Sequence, residues 1–252
     1  MRRFFLLLLL VPGPAAAEPD PVAALESAIA RWELSCRRPN DLGDCTSTRA
    51  VAVSHHCEKQ MREVTNRRAG KAARAAQADI AAALAALEKL PDAASDPRIA
   101  WVGARARTAV AEAAFEDLVR LRFPTGLDFS GRNAKASRER FDAFIKAAGS
   151  RLDAALAAYQ QVYRHPGATT ALRLRALARR GQLSARFAEI LRSAEIPRDV
   201  RTGELAADKI DAFCDALVQV IEPHEQNART AFEECVAMGG GAGMWAAVCA
   251  SP

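Results

Sequence analysis

Strands announce themselves by runs of β-branched and aromatic residues, and this chain has few such runs; aromatics make up only 6% of its 252 residues. Alanine, leucine, arginine and glutamate dominate instead, which argues against sandwiches and barrels and implies an all-α fold. Catalytic signatures are missing as well. The sequence has no His-Glu-x-x-His, phosphate loop, dinucleotide fingerprint, Cys-x-x-Cys-His or Gly-x-Ser-x-Gly, so the common zinc, nucleotide, haem and serine-nucleophile patterns do not apply. Charge of neither sign prevails. The formal balance of +5 is too small to argue for a nucleic-acid partner, and no run reaches the ~20 apolar residues that span a bilayer.

What is present begins with MRRFFLLLLLVPGPAAAEPD. Two arginines, an apolar run from Phe4 to Val11, the helix breakers Pro12, Gly13 and Pro14, and then Ala15-Ala16-Ala17 have the order of a secretory signal peptide cut after Ala17. Arg2-Arg3-Phe4-Phe5-Leu6 also fits a twin-arginine signal; the short leader and very apolar core favour the general secretory route. No cysteine lies near the cleavage point to carry a lipid anchor. The expectation is an exported chain, periplasmic or outer-envelope, whose mature part has no transmembrane span. All six cysteines, Cys36, Cys45, Cys57, Cys214, Cys235 and Cys249, lie beyond the leader. An even count in an oxidising compartment reads as disulfides. Three sit near each end, and three is odd, so full pairing requires at least one bond between the two ends.

Helix signals follow one another along the chain. A first helix is expected over residues 21–36 and a long second one over 47–90, with Cys57, Met61 and Val64 and then Ile80, Leu84 and Leu87 at helical spacing. Asp96 before Pro97 marks a third start: a side-chain oxygen for orphan amides, then a ring already fixed at helical φ. Phe141, Ile145, Ala148, Leu152, Leu156, Tyr159 and Val162 draw one apolar stripe for a fourth, which His165-Pro166-Gly167 ends. A fifth begins near Thr169 or Thr170, a sixth near Glu204, and a short last one surrounds Trp245.

The sixth segment contains Pro223 between Cys214 and Cys235. Proline costs a helix interior ~3 kcal/mol, so it either kinks one helix or starts a new one. Ile210, Cys214, Leu217, Ile221, Ala228, Phe232 and Cys235 keep one phase across it, which favours a single helix. Cys214 and Cys235 then stand about 32 Å apart at 1.5 Å per residue, far beyond the ~7 Å that a disulfide allows between α-carbons. Cys235 pairs better with Cys249, each seven residues from Ala242 in the glycine turn. Cys214 is left for the N-terminal cluster.

Several stretches occur in a familiar order: FEDLVRLRFP, AAYQQVY, LRALARRGQLSARFAEIL, AEIPRDV and FCDALVQVIEPHEQNARTAFEECV. They resemble the tetratricopeptide-like helical proteins of the myxobacterial and deltaproteobacterial envelope, including those associated with gliding motility. Arg180-Gly181-Gln182 with Phe187, Glu195-Ile196-Pro197, and Val220 to Glu225 carry the likeness, with His224 where the family has leucine. The resemblance covers residues 100–249 and implies a stack of antiparallel helices, an α-solenoid, that contacts other envelope proteins without catalysis. With the leader over 1–17, the chain is expected to divide into an N-terminal helical segment with three cysteines over 18–95, outside the likeness, and a tetratricopeptide-like domain over 96–252.

Candidate chemistry is sparse. In SHHCEKQ, His55, His56 and Cys57 are adjacent, so their side chains diverge by about 100° on a helix and do not form a metal set; Cys57 reads as a disulfide partner and the histidines as exposed. The carboxylates of ESAIARWE, AEAAFED and FEEC read as ordinary helix-surface charges. The arginines of NRRAGKAARAA and LRLRALARRG suggest, as an alternative, a basic face for anionic lipid or glycan. The favoured reading has no enzyme activity, cofactor or metal: a scaffold or adaptor for other envelope proteins, with Trp32, Trp101 and Trp245 as contact aromatics.

Overall fold

The computed structural model describes residues 20–36, 39, 45–68, 70–91, 95–239 and 244–250. The leader read over 1–17 and the glycine turn at 240–243 lie outside the described residues. Seven α-helices and one hairpin make up the described chain: α1 Pro21–Leu34, β1 Thr46–Ala52, β2 Gln60–Asn66, α2 Gly70–Leu87, α3 Pro97–Val119, α4 Ala134–Arg164, α5 Thr170–Arg192, α6 Ala206–Gly239 and α7 Met244–Ala250. A 3-10 turn, Gly131–Asn133, leads into α4.

Three helix starts have the capping chemistry that their sequences carry. The Asp20 side chain accepts from the Val22 amide before Pro21. Asp96 accepts from the amides of Arg98 and Ile99 before Pro97, and Thr169 from that of Leu172. Each satisfies orphan donors of the first turn.

The expected helix over 47–90 is corrected. Its first half is the antiparallel hairpin β1–β2, with Thr48 opposite Val64 and Ala50 opposite Arg62; only its second half is helical, as α2. Thr46, Thr48, Val51, Val64 and Thr65 suit a pleated surface better than a helix. Ser47 and Thr65 share a hydroxyl bond of 2.8 Å, and Arg49 donates to Glu63 at 2.7 Å across the outer face. On the other face Val64 is buried in the helical core. The helical spacing of Cys57, Met61 and Val64 is fortuitous, since Cys57 sits in the turn and Val64 on a strand.

Helix pairs α1/α2, α3/α4 and α5/α6 pack side by side, and α3 touches both α1 and α5. That makes α3 two-faced. Val102, Ala106 and Ala109 join Leu25, Ile29, Trp32 and Ile80 from α1 and α2. Ala111, Phe115 and Leu118 join Leu152, Tyr159, Leu183 and Phe187 from α4 and α5. A third cluster sets Leu174 and Leu177 of α5 against Cys235, Trp245 and Cys249. Small residues allow this close approach. A Cβ on Gly181 would stand 2.8 Å from the Phe232 ring of α6, and one on Gly167 would overlap the Ala100 carbonyl.

α6 runs unbroken through Pro223 from Ala206 to Gly239. The cysteines pair as Cys36–Cys45, Cys57–Cys214 and Cys235–Cys249, with α-carbons 5.5, 5.7 and 5.8 Å apart. The middle bond spans 157 residues and joins the hairpin turn to α6. No described helix is long and apolar enough to cross a membrane.

Gly149 and Gly167 provide a contrast. Gly149 lies inside α4 with nothing within 4 Å of an added Cβ, so Gly149→Ala should raise urea-unfolding stability by about 0.5–1 kcal/mol. Gly167→Ala should lower it by about 1–3 kcal/mol, because the new methyl must displace backbone. Equal effects would contradict this packing.

Candidate functional site

Three polar or concave regions compete for a functional role. The first is a buried ion cluster. On α3, Glu112 accepts from Tyr159 Oη of α4 at 2.9 Å, from Arg175 Nε at 2.9 Å and from Arg179 Nε and Nη2 at 3.0 Å, both arginines being on α5. Arg179 is only 1% exposed, and its guanidinium lies 4.3 Å from the Phe115 ring centre and 5.1 Å from that of Trp245. Burial alone would push the Glu112 carboxyl up; the positive charges of Arg179 and Arg175 and their hydrogen bonds outweigh it and hold the pKa at about 2. Burial pushes the Tyr159 hydroxyl well above its usual value, with the Glu112 charge adding to the effect. The carboxylate takes three of these bonds on Oε1 and one on Oε2 and is itself buried. One turn on, Glu116 takes Arg68 at 2.6 Å and Asn66 at 2.8 Å, while Arg68 also donates to the Trp32 carbonyl at 2.6 Å and covers the Trp32 ring. Both clusters are closed structural joints.

The second region is the seam where the hairpin lies on α3 and α5. Cavities of about 360 and 400 Å³ flank it, and Arg62, Arg186 and Glu189 line both. Here Arg186 bonds Glu189 at 2.9 Å and the Val119 and Arg62 carbonyls at 3.2 Å. Burial lowers the Arg186 pKa, against the pull of Glu189. Arg62 pairs with Glu189, Arg122 with Glu63, and Arg192 with Glu58 and Glu225. The arginines of this seam face carboxylates of the same chain.

The third is a pocket of about 240 Å³ between the N-terminal halves of α4 and α6. Phe123, Leu127, Phe129, Phe141, Ile145, Phe213, Leu217 and Val220 line it, and Glu195 is its one charged wall residue. Phe123 and Phe129 meet Phe141 at centroid distances of 6.1 and 6.3 Å. Backbone ties fix the two loops beneath. The Gly126 amide donates to Glu195 at 2.9 Å, the Phe129 amide to Asp199 at 3.2 Å, and Arg140 to the Thr125 carbonyl at 2.9 Å. Glu195 also pairs with Arg201. At the pocket wall, Val220 stays 55% exposed.

Several sequence-level candidates fall elsewhere. Trp32 and Trp245 are buried in core clusters, and Trp101 is 40% exposed with Arg105 over its ring. His55 is exposed at φ 63°, His56 bonds the Ser54 carbonyl, and Cys57 is bonded to Cys214. Among the described residues no three His, Cys, Asp or Glu side chains gather as a metal set. The reading of AEAAFED as surface charge is corrected, since Glu112 and Glu116 are buried. Of the arginines read as a basic face, Arg68, Arg175 and Arg179 turn inward onto those two carboxylates. The phenylalanine pocket escaped sequence reading because its walls come from distant segments. Its one local signal is the pair Phe123 and Phe129 inside the helix-breaking stretch RFPTGLDFSG. Compared with known proteins, the chain matches no family model, no curated protein and no solved structure.

Glu112 has a pH signature. Its pKa falls on folding from 4.5 to about 2, so its stabilisation is fully present above the unfolded value and lost as pH falls through the folded one, about 3 kcal/mol in all. Urea midpoints should therefore drop steeply below about pH 4.5. The Glu112→Gln chain, less stable at neutral pH, should lose less on acidification; a parallel decline of both chains would contradict the assignment.

Proposed function

We propose that the chain is a non-catalytic, exported helical-repeat scaffold that holds another envelope protein through the phenylalanine-lined pocket. The carrying observation is the pocket itself: open beside exposed Val220, walled almost wholly by apolar side chains, and fixed from below by hydrogen bonds between two loops. Prebuilt apolar pockets that accept one anchoring side chain are where interface energy concentrates. Stacked helix pairs support the scaffold reading, and three disulfides are compatible with export.

The occupant is a protein side chain, aliphatic or aromatic. An anionic lipid would bring a negative head, and the lone charged wall residue is Glu195, itself an anion, already bonded to Arg201 and Gly126. A buried Phe or Leu anchor brings no charge to place.

Val220→Asp tests the reading. The side chain is more than half exposed, so the fold should keep its urea midpoint. A partner photo-crosslinked from position 220 in envelope extract should be retained at least about tenfold more weakly by the variant, a loss of about 1.4 kcal/mol. Equal retention by both chains, or equal crosslinking from the exposed Glu233 position, would overturn it.

A further inference from the structure

The three disulfides are not equally protected. Cys235 and Cys249 are both buried, Cys45 is buried while its partner Cys36 is partly exposed, and Cys57 and Cys214 are both partly exposed. The exposed pair is also the one that fastens a poorly anchored element. In α6 every buried residue lies at or beyond Ile221: Ile221, Ala228, Ala231, Phe232 and Cys235. Residues 206–220 have none, and they touch the body through a half-buried stripe of Ile210, Phe213 and Leu217. Their polar ties are few: Lys209 donates to the Thr202 and Asp199 carbonyls at 3.1 and 3.3 Å.

Pro223 stands at the boundary between the two halves. It has no amide hydrogen, so the Gln219 carbonyl lacks its helix bond, and a helix yields most readily where its ladder is interrupted. The half before it supplies one whole wall of the phenylalanine pocket, through Phe213, Ala216, Leu217 and Val220. One partly exposed covalent bond therefore backs the half-buried stripe that keeps that wall in place.

We propose that Cys57–Cys214 is a redox latch: its reduction lets residues 206–220 swing about Pro223, removes the α6 wall of the pocket and releases the bound side chain. The last step rests on the partner reading of the pocket; the swing does not. The reductant is a dithiol, either a small molecule or an exported dithiol oxidoreductase. Its thiolate attacks one sulfur and displaces the other, and its second thiol resolves the mixed disulfide. In balance, two electrons and two protons pass to the protein, giving two cysteine thiols, and the dithiol becomes a disulfide. Attack requires access to sulfur: Cys235–Cys249 is closed at both cysteines, Cys36–Cys45 is open at Cys36 alone, and Cys57–Cys214 is open at both.

Graded treatment of the full chain with dithiothreitol, followed by alkylation, peptide mapping and hydrogen exchange, tests the latch. Cys57 and Cys214 should be labelled at least tenfold faster than the other four cysteines. Amides of 206–220 should then exchange at least tenfold faster while those of α3 and α5 keep their protection. A chain carrying Cys57→Ser and Cys214→Ser should show the same local pattern without reductant. Reduction of either other disulfide first, unchanged exchange in 206–220 once both cysteines are labelled, or loss of protection throughout the molecule would each overturn the proposal. Partner retention is scored separately. Local opening with retention unaltered keeps the latch and sinks the pocket reading, whereas Val220→Asp sensitivity without local opening does the reverse.

Discussion

The fold is organised around one carboxylate with more donors than a surface residue could collect. Glu112 of α3 takes Tyr159 from α4 and Arg175 and Arg179 from α5, and the rings of Phe115 and Trp245 cover the arginine charge from α3 and α7. Desolvating such charges costs several kcal/mol per ion, recovered only when geometry and hydrogen bonds are complete. Completeness here requires four helices at one register. Glu116, four residues on and so on the same face of α3, repeats the device for Arg68 and Asn66 at the end of the hairpin, with α1 reached through the Trp32 carbonyl. Two carboxylates one turn apart thus connect the N-terminal elements and the C-terminal helices to one spine.

Around that spine burial is uneven. α3 and α5 are buried along most of their length. The second half of α6 is held by Phe232 in the notch of Gly181 and by the bond from Cys235 to Cys249. The first half of α6 overhangs this body with a half-buried stripe and one disulfide. The proposed scaffold function draws on this contrast, since elements with few buried contacts are the ones expected to open locally.

Much of the helical frame was legible in the residues, because caps and stripes are local. Asp96-Pro97, the apolar stripe of α4, and the unbroken phase through Pro223 all mark elements that the structure contains. The odd cysteine count at each end required a bond between them, and Cys57–Cys214 is such a bond. The hairpin was hidden because Cys57, Met61 and Val64 mimic helical spacing while the bonds that oppose a helix are remote in sequence. Charges were harder still. An arginine run and an acidic run look alike whether they face water or each other, and only the meeting of α3 with α5 turns Glu112 and Arg179 inward. The pocket was the least legible part, since Phe123, Phe141 and Phe213 share no local pattern.

The buried pair is the claim on which the rest stands, and a double-mutant cycle on Glu112 and Arg179 tests it most directly. Glu112→Gln and Arg179→Met should each cost about 3–5 kcal/mol in urea unfolding, because each strands a buried partner, and the double variant should recover much of that loss. Single losses no larger than a surface substitution, or losses that simply add, would contradict the account.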